Sequence, residues 1–218
     1  MRVDQKVILD ATLRLIAREG VGAVRYREVA AESGVALGTI SYQYSAREDL
    51  VRAAFNHFLS EATRTLQDAA SRIHGPEDVA DILVELLKSD FADRSRPHLA
   101  EYELLLYAAR DPLMAEAIAA WDRSTIAEFA HVAERAGLPS PFAVAHTLFD
   151  MTRGFQLAAL GQSSPDLDDF HKRVSTLLAA FTPGPSRESL PPRTTPTMAA
   201  PKTSTKKRAA TPNPRKSR

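Results

Sequence analysis

The sequence predicts an all-α protein of about nine helices, and three observations carry that prediction. Apolar residues recur three and four apart along most of the chain, the rhythm of a helix with one buried face. Glycine and proline interrupt the rhythm where helices should begin and end. No run alternates polar and apolar residues as a half-buried strand would.

The elements follow in order. The first helix is expected from about Asp4 to Glu19, with Ile8, Ala11 and Leu15 on one face. Gly20 suits a left-handed C-terminus. A short helix fits Tyr26 to Ser33 and stops at Gly34, and another fits Leu37 to Tyr44. "SARE" then places Ser45 as N-cap with Glu48 three residues later, the spacing of a capping box. That helix should run to Ile73, with Leu50, Ala54 and Phe58 in line, and end at His74-Gly75. Pro76 suits the first position of the next helix, Glu77 and Asp78 favour its positive end, and it should reach about Phe91. "DRSRP" breaks the chain. Leu99 to Arg110 is helical, Asp111-Pro112 marks a bend, and a long helix follows from about Met114 to Ala136. After "GLPSP" at 137–141 a helix should run from Phe142 to Leu160, ended by Gly161. Ser164 is expected to cap the last helix with Pro165 at its first position; Phe170, Val174, Leu177, Leu178 and Phe181 make its apolar stripe.

Composition narrows the function. The absence of cysteine excludes disulfides, thiolate metal sites and cysteine nucleophiles. No apolar run approaches the roughly 20 residues needed to span a bilayer. The opening "MRVDQKVILDAT" has no signal-peptide core, so a cytoplasmic protein is expected. The net charge of +1 conceals an asymmetry. Residues 61–182 hold eleven Lys/Arg against nineteen acids, whereas 183–218 hold nine Lys/Arg against one acid. An acidic middle does not favour a polyanion there. The segment from Pro183 holds eight of the fourteen prolines and few large apolar residues, so a disordered basic tail is expected. "KKR" and "RKSR" within it suit sequence-independent attraction to phosphates or simply a solvated extension.

The stretch "AESGVALGTISYQYSAREDL", residues 31–50, carries the chemistry. Two short helices joined at Gly34-Val35 form a helix-turn-helix, with Val29, Ala30, Val35 and Ile40 at the packing positions. Gly34 allows the positive φ of a tight turn. Gly38 lies in the first turn of the second helix, where a side chain would hold that helix away from a phosphate or base edge. Thr39, Ser41 and Gln43 offer hydroxyls and an amide to bases and phosphates; a glutamine bidentate to adenine discriminates by about 1–3 kcal/mol. Tyr42 and Tyr44 are each read either as rings against the sugar-phosphate backbone or as core.

Residues 8 to 59 resemble the DNA-binding domain of the TetR family of transcriptional regulators, through "ILDATLRLIAREG", "REVAAESGVALGTISYQY" and "SAREDLVRAAF". The resemblance implies three N-terminal helices on DNA and later helices forming an effector pocket and a dimer interface. It implies that Arg27 and Leu37 to Gln43 face DNA and that Arg47 contacts phosphate. The chain departs from the pattern at Arg25, Ala36, Ser41 and Arg47, where threonine, serine, an aromatic residue and lysine are usual. Arg25 either reaches a phosphate in compensation or is solvated.

The expected layout is a DNA-binding domain over 1–47, an effector-binding and dimerisation domain over 48–182, and the tail over 183–218. The DNA-contacting set is Arg27, Leu37, Gly38, Thr39, Ser41, Tyr42, Gln43 and Arg47. The effector set is Tyr102, Leu106, Trp121, Phe129, Phe149 and Arg153, apolar walls with a few placed polar groups. Gly154, Ala158 and Gly161 share a helix face that permits close approach of a partner or fits the subunit's own core. With the last helix they suggest a four-helix dimer interface. The expected partners are a double-stranded operator, a small-molecule effector and a second copy, with repression the expected output. No HExxH, Walker loop or dinucleotide glycine loop occurs and the six histidines lack metal spacing, so neither an enzyme, nor a cofactor, nor a metal is expected. An architectural DNA-binding protein without an effector is the alternative.

Overall fold

The computed structural model describes residues 3–93, 97–162 and 164–181, with side chains from Gln5 onward. Among these residues there are nine α-helices and no strands: α1 Val3–Glu19, α2 Tyr26–Ser33, α3 Leu37–Gln43, α4 Arg47–Ser71, α5 Pro76–Ala92, α6 Pro97–Ala108, α7 Pro112–Arg135, α8 Pro141–Ala159 and α9 Leu167–Phe181. A single 3-10 turn, Val21–Ala23, joins α1 to the segment before α2. The expected tail lies outside the described residues. Among those described, no helix is long and apolar enough to cross a membrane.

The helices bury their apolar faces in two cores. The first gathers Ile8, Leu15 and Ile16 of α1, Val29 of α2, Ile40 of α3, and Leu50 and Phe55 of α4. Leu104 of α6 and Met114 of α7 complete it. The second gathers Leu83 and Leu87 of α5, Val132 of α7, Val144 and Leu148 of α8, and Phe170, Val174 and Leu178 of α9. Each large side chain taken fully out of water contributes about 1.5–3 kcal/mol. Both α4 and α7 run from one core to the other: α4 supplies Phe55 to the first and Ala69 and Ala70 to the second.

Four local expectations are corrected. Helix α4 is capped one residue later than expected. Ala46 takes the extended N-cap conformation and donates its N–H to Asp49 Oδ2 at 3.1 Å. Alanine has no acceptor for the reciprocal bond, so only half of a capping box forms. The last helix begins at Leu167, and Asp166 Oδ1, rather than Ser164, accepts the Asp169 N–H at 2.9 Å. The short acid reaches back where the serine stands too far upstream. Gly20 has φ 81° and ψ 167°, open to glycine but outside the left-handed helical well expected for it. Finally, Phe170, Val174 and Leu178 of α9 are buried inside the subunit's own second core.

Ion pairs brace the first core from outside. Glu32 on α2 accepts from Arg14 at 2.9 Å and Arg18 at 3.1 Å, both on α1. The Arg14 hydrogen bond is the main reason the Glu32 carboxyl lies below its ordinary range. Nearly buried His57 on α4 contacts Asp10 of α1 at 2.7 Å.

Candidate functional site

The turn between α2 and α3 sets everything that α3 presents. Gly34 is left-handed at φ 72° and returns its N–H to Ala30 O at 2.9 Å, closing α2. Val35 N donates to Ser33 Oγ at 3.2 Å, which holds the next residues of the turn. Ile40 is fully buried against the first core, and this anchor aims the rest of α3 outward. Leu37, Gly38, Ser41, Tyr42 and Gln43 are exposed, Tyr42 at 91%, and Thr39 is half-buried. A methyl added at Gly38 would meet nothing within 4 Å, so nothing inside the subunit requires a glycine there.

The two tyrosines part company. Tyr44 is buried and its carbonyl accepts the Tyr26 hydroxyl at 2.8 Å. Tyr42 stands free on the surface. Beside α3, an open cleft of about 480 Å³ is lined by Arg25, Tyr26, Arg27, Glu28, Leu37 and Ser41. Two exposed arginines at the positive end of α2 give that groove a charge suited to phosphate. Neither Arg25 nor Ala36 caps its helix through a side chain, as the sequence departures imply. Arg47 is engaged internally. Its Nε donates to Val24 O at 2.8 Å, its Nη2 to Val21 O, and its Nη1 to Glu48 at 3.3 Å. It fastens the 3-10 turn to the start of α4, a role no sequence signal announces.

The expected effector residues fall into three places. Trp121, Phe149 and Arg153 meet in one cluster between α7 and α8. The Arg153 guanidinium lies 4.6 Å from the Phe149 ring centre and 5.4 Å from that of Trp121. Arg153 Nη2 donates to Asp122 Oδ1 at 2.9 Å and lies 3.8 Å from Glu101. Trp121 Nε1 donates to Thr63 Oγ1 at 3.1 Å, which ties the cluster to α4. Tyr102 touches its edge, donating its hydroxyl to Arg153 O at 2.8 Å. Leu106 stands apart, 66% exposed, in an open cleft of about 490 Å³ between the end of α1, α6 and α8. Phe129 borders a crevice of about 20 Å³ between α4 and α7, room for one water rather than an effector.

Sequence reasoning missed two acids here, Asp122 beside Arg153 and Asp90 close to Glu101; Glu101, like His98 and His146, is expected from the sequence only as a polar contact of the effector pocket. Burial pushes the Glu101 carboxyl up to about 7 against the pull of Arg153, and pushes Asp90 up to about 6. Burial also raises Asp122, opposed by Arg153. Asp90 Oδ2 accepts from buried Gln156 at 3.2 Å. An acidic residue on a helix normally reads as a solvated face, so only their approach to Glu101 from α5 and α7 singles these two out. Among the described residues no group of histidine and acidic side chains is arranged to hold a metal ion.

Gly154 and Ala158 of α8 and Gly161 just past its end are exposed. A methyl at either glycine would meet nothing within 4 Å, so these small residues serve no packing need inside the subunit.

Comparisons with known proteins bear on both halves of the chain. Residues 8–54 match the family described as bacterial regulatory proteins, tetR family. Residues 74–184 match the tetracyclin repressor-like C-terminal domain. A curated relative is the nicotine-responsive transcriptional repressor HdnoR of Paenarthrobacter nicotinovorans, 26% identical over 48% of this chain and 54% of its own. The chain spans about half the length of the curated relatives it matches. Among solved structures, a family member from Streptomyces coelicolor is 25% identical with a TM-score of 0.65, over 84% of this chain and 100% of its own. The multidrug binding protein EbrR, complexed with malachite green, is 26% identical with a TM-score of 0.63, over the same shares.

Proposed function

The chain belongs to the TetR family of transcriptional regulators, and on that premise we propose that it represses from a palindromic operator until a small organic effector releases it. The observation that carries the reading is the two-sided character of α3. One face is locked by buried Ile40, while Leu37, Gly38, Ser41, Tyr42 and Gln43 are left open to a major groove. Arg25 and Arg27 meet the flanking phosphates, which position the helix without reading sequence. Two copies pair through the exposed small-residue face of α8, setting two α3 helices about 34 Å apart on a two-fold related site.

The effector binds among α5 to α8, around Trp121, Phe149 and Arg153. Release requires that it prefer one of two spacings of the α3 pair; a coupling of about 1–3 kcal/mol corresponds to roughly 5- to 150-fold in operator affinity. Helices α4 and α7 link the two cores and give that preference a path. The relatives support an organic effector: one is described as nicotine-responsive and another as a multidrug binding protein.

A footprint on the DNA upstream of the protein's own reading frame tests the reading. The expected result is protection of two half-sites about one helical turn apart. Gly38→Ala should weaken that protection at least tenfold while leaving the fold intact, since the added methyl favours the helix and clashes with nothing inside. Uniform coverage with no preferred site would instead favour the architectural alternative.

A further inference from the structure

The cluster around Arg153 contains an imbalance of charge. Glu101 faces Arg153 of α8, Asp90 of α5 and Asp122 of α7; Asp122 in turn feels Asp150 of α8. One guanidinium therefore answers two carboxylates, Glu101 of α6 and Asp122 of α7, each with a further acid close by. It does so while lying over two aromatic rings, Phe149 at 4.6 Å and Trp121 at 5.4 Å. A cation over aromatic faces with carboxylates beside it is the arrangement by which proteins hold organic cations. Here the cation is the protein's own.

The side chain can be displaced without moving the backbone that carries it. Its backbone carbonyl is pinned by the Tyr102 hydroxyl, while the guanidinium hangs on a flexible stem and is 23% exposed. Withdrawing it would strip Asp122, and Glu101 where that carboxyl is ionised, of their cation, and a replacement positive charge would answer them. An anion in the same place would meet only like charge.

We propose that Arg153 is a built-in stand-in for the effector: the effector is an organic cation with a flat apolar body, and it takes the guanidinium's place against Trp121, Phe149, Asp122 and Glu101. The inference rests on the effector reading above and narrows its chemistry. The displaced Arg153 is the switch, because its guanidinium occupies the place the cation takes.

Two dyes built on the same three-ring frame make the test: rhodamine 6G, a cation, and fluorescein, an anion. Each is titrated by fluorescence anisotropy into the full chain at pH 8 without DNA. Rhodamine 6G should bind at least tenfold tighter than fluorescein. Asp122→Asn and Glu101→Gln should each weaken it at least fivefold. Arg153→Ala should tighten it several-fold, because the internal competitor is gone; a merely structural arginine would give the opposite. Equal or tighter fluorescein binding, binding of neither dye, or loss of rhodamine binding in a folded Arg153→Ala protein overturns the proposal. Should that variant not melt cooperatively, the two carboxylate variants, which keep Arg153, decide alone. A footprint on the same preparation separates the two ideas. A protein that protects its operator yet ignores rhodamine 6G sinks only the cation, whereas one that protects no site sinks the regulator reading itself.

Discussion

Glu101 is an acid whose proton matters to the fold. Its side chain is 12% exposed, and burial lifts its carboxyl to about 7. The folded chain therefore keeps that proton up to about pH 7, whereas an unfolded glutamate releases it near 4.3. Stability from this group is present below the unfolded value and is lost as pH rises through about 7, a swing of about 4 kcal/mol. Asp90, raised to about 6, tilts the same way. The acids held low, Asp10, Glu32, Asp78 and Asp111, are ionised in both states across that window and add no slope there. Denaturant unfolding at pH 5 and pH 8 should find the natural chain less stable at the higher pH and Glu101→Gln markedly flatter. An equal slope in both would mean that the Glu101 carboxyl is ionised at ordinary values. At this scale the outward-facing residues of α3 were legible, because a helix-turn-helix pattern assigns each position of α3 a side. Arg47 and Tyr44 were not fully legible. Arginine suits phosphate and backbone carbonyls equally, and a tyrosine two residues from Tyr42 is turned inward only by the packing beneath it.

Helix α6 is where a single element departs most from its apparent place. "PHLAEYELLLYA" is apolar on nearly every side, so its periodicity does not say which face is buried. The fold turns Ala100, Leu104 and Ala108 onto α1 and leaves Leu106 in solvent. Leu104 thus belongs to the core beneath the helix-turn-helix although some sixty residues of chain separate them. Leu104→Ala should destabilise the protein by about 2–5 kcal/mol, read from a denaturant midpoint. It should also weaken operator binding, although Leu104 lies on none of the exposed α3 surface. A loss under about 1 kcal/mol would mean that α6 merely rests on the first core. The helix ends were read well at Gly34 and Pro76, whereas Pro165 stands two residues before α9 begins. Ser45 and Ser164 misled because a neighbouring aspartate in each case reached the free N–H groups better.

Over the whole molecule, charge is segregated, and the tail past residue 182 carries much of the positive part. Deleting residues 183–218 should reduce the salt dependence of operator binding by about one unit of log–log slope for each lysine or arginine engaged, with sequence preference unchanged. An unchanged slope would assign the tail no part in binding. The helical class, the order of the elements and the outward face of α3 were determined by the sequence alone. They depend on periodicity and on glycine and proline, which act over a few neighbouring residues. Only the tertiary structure decided that α9 spends its apolar stripe inside the subunit, that α6 supports the first core, and that Glu101 and Asp122 meet one arginine lying over two rings. Those facts depend on which faces of distant helices meet, and a local pattern carries no information about what stands opposite it.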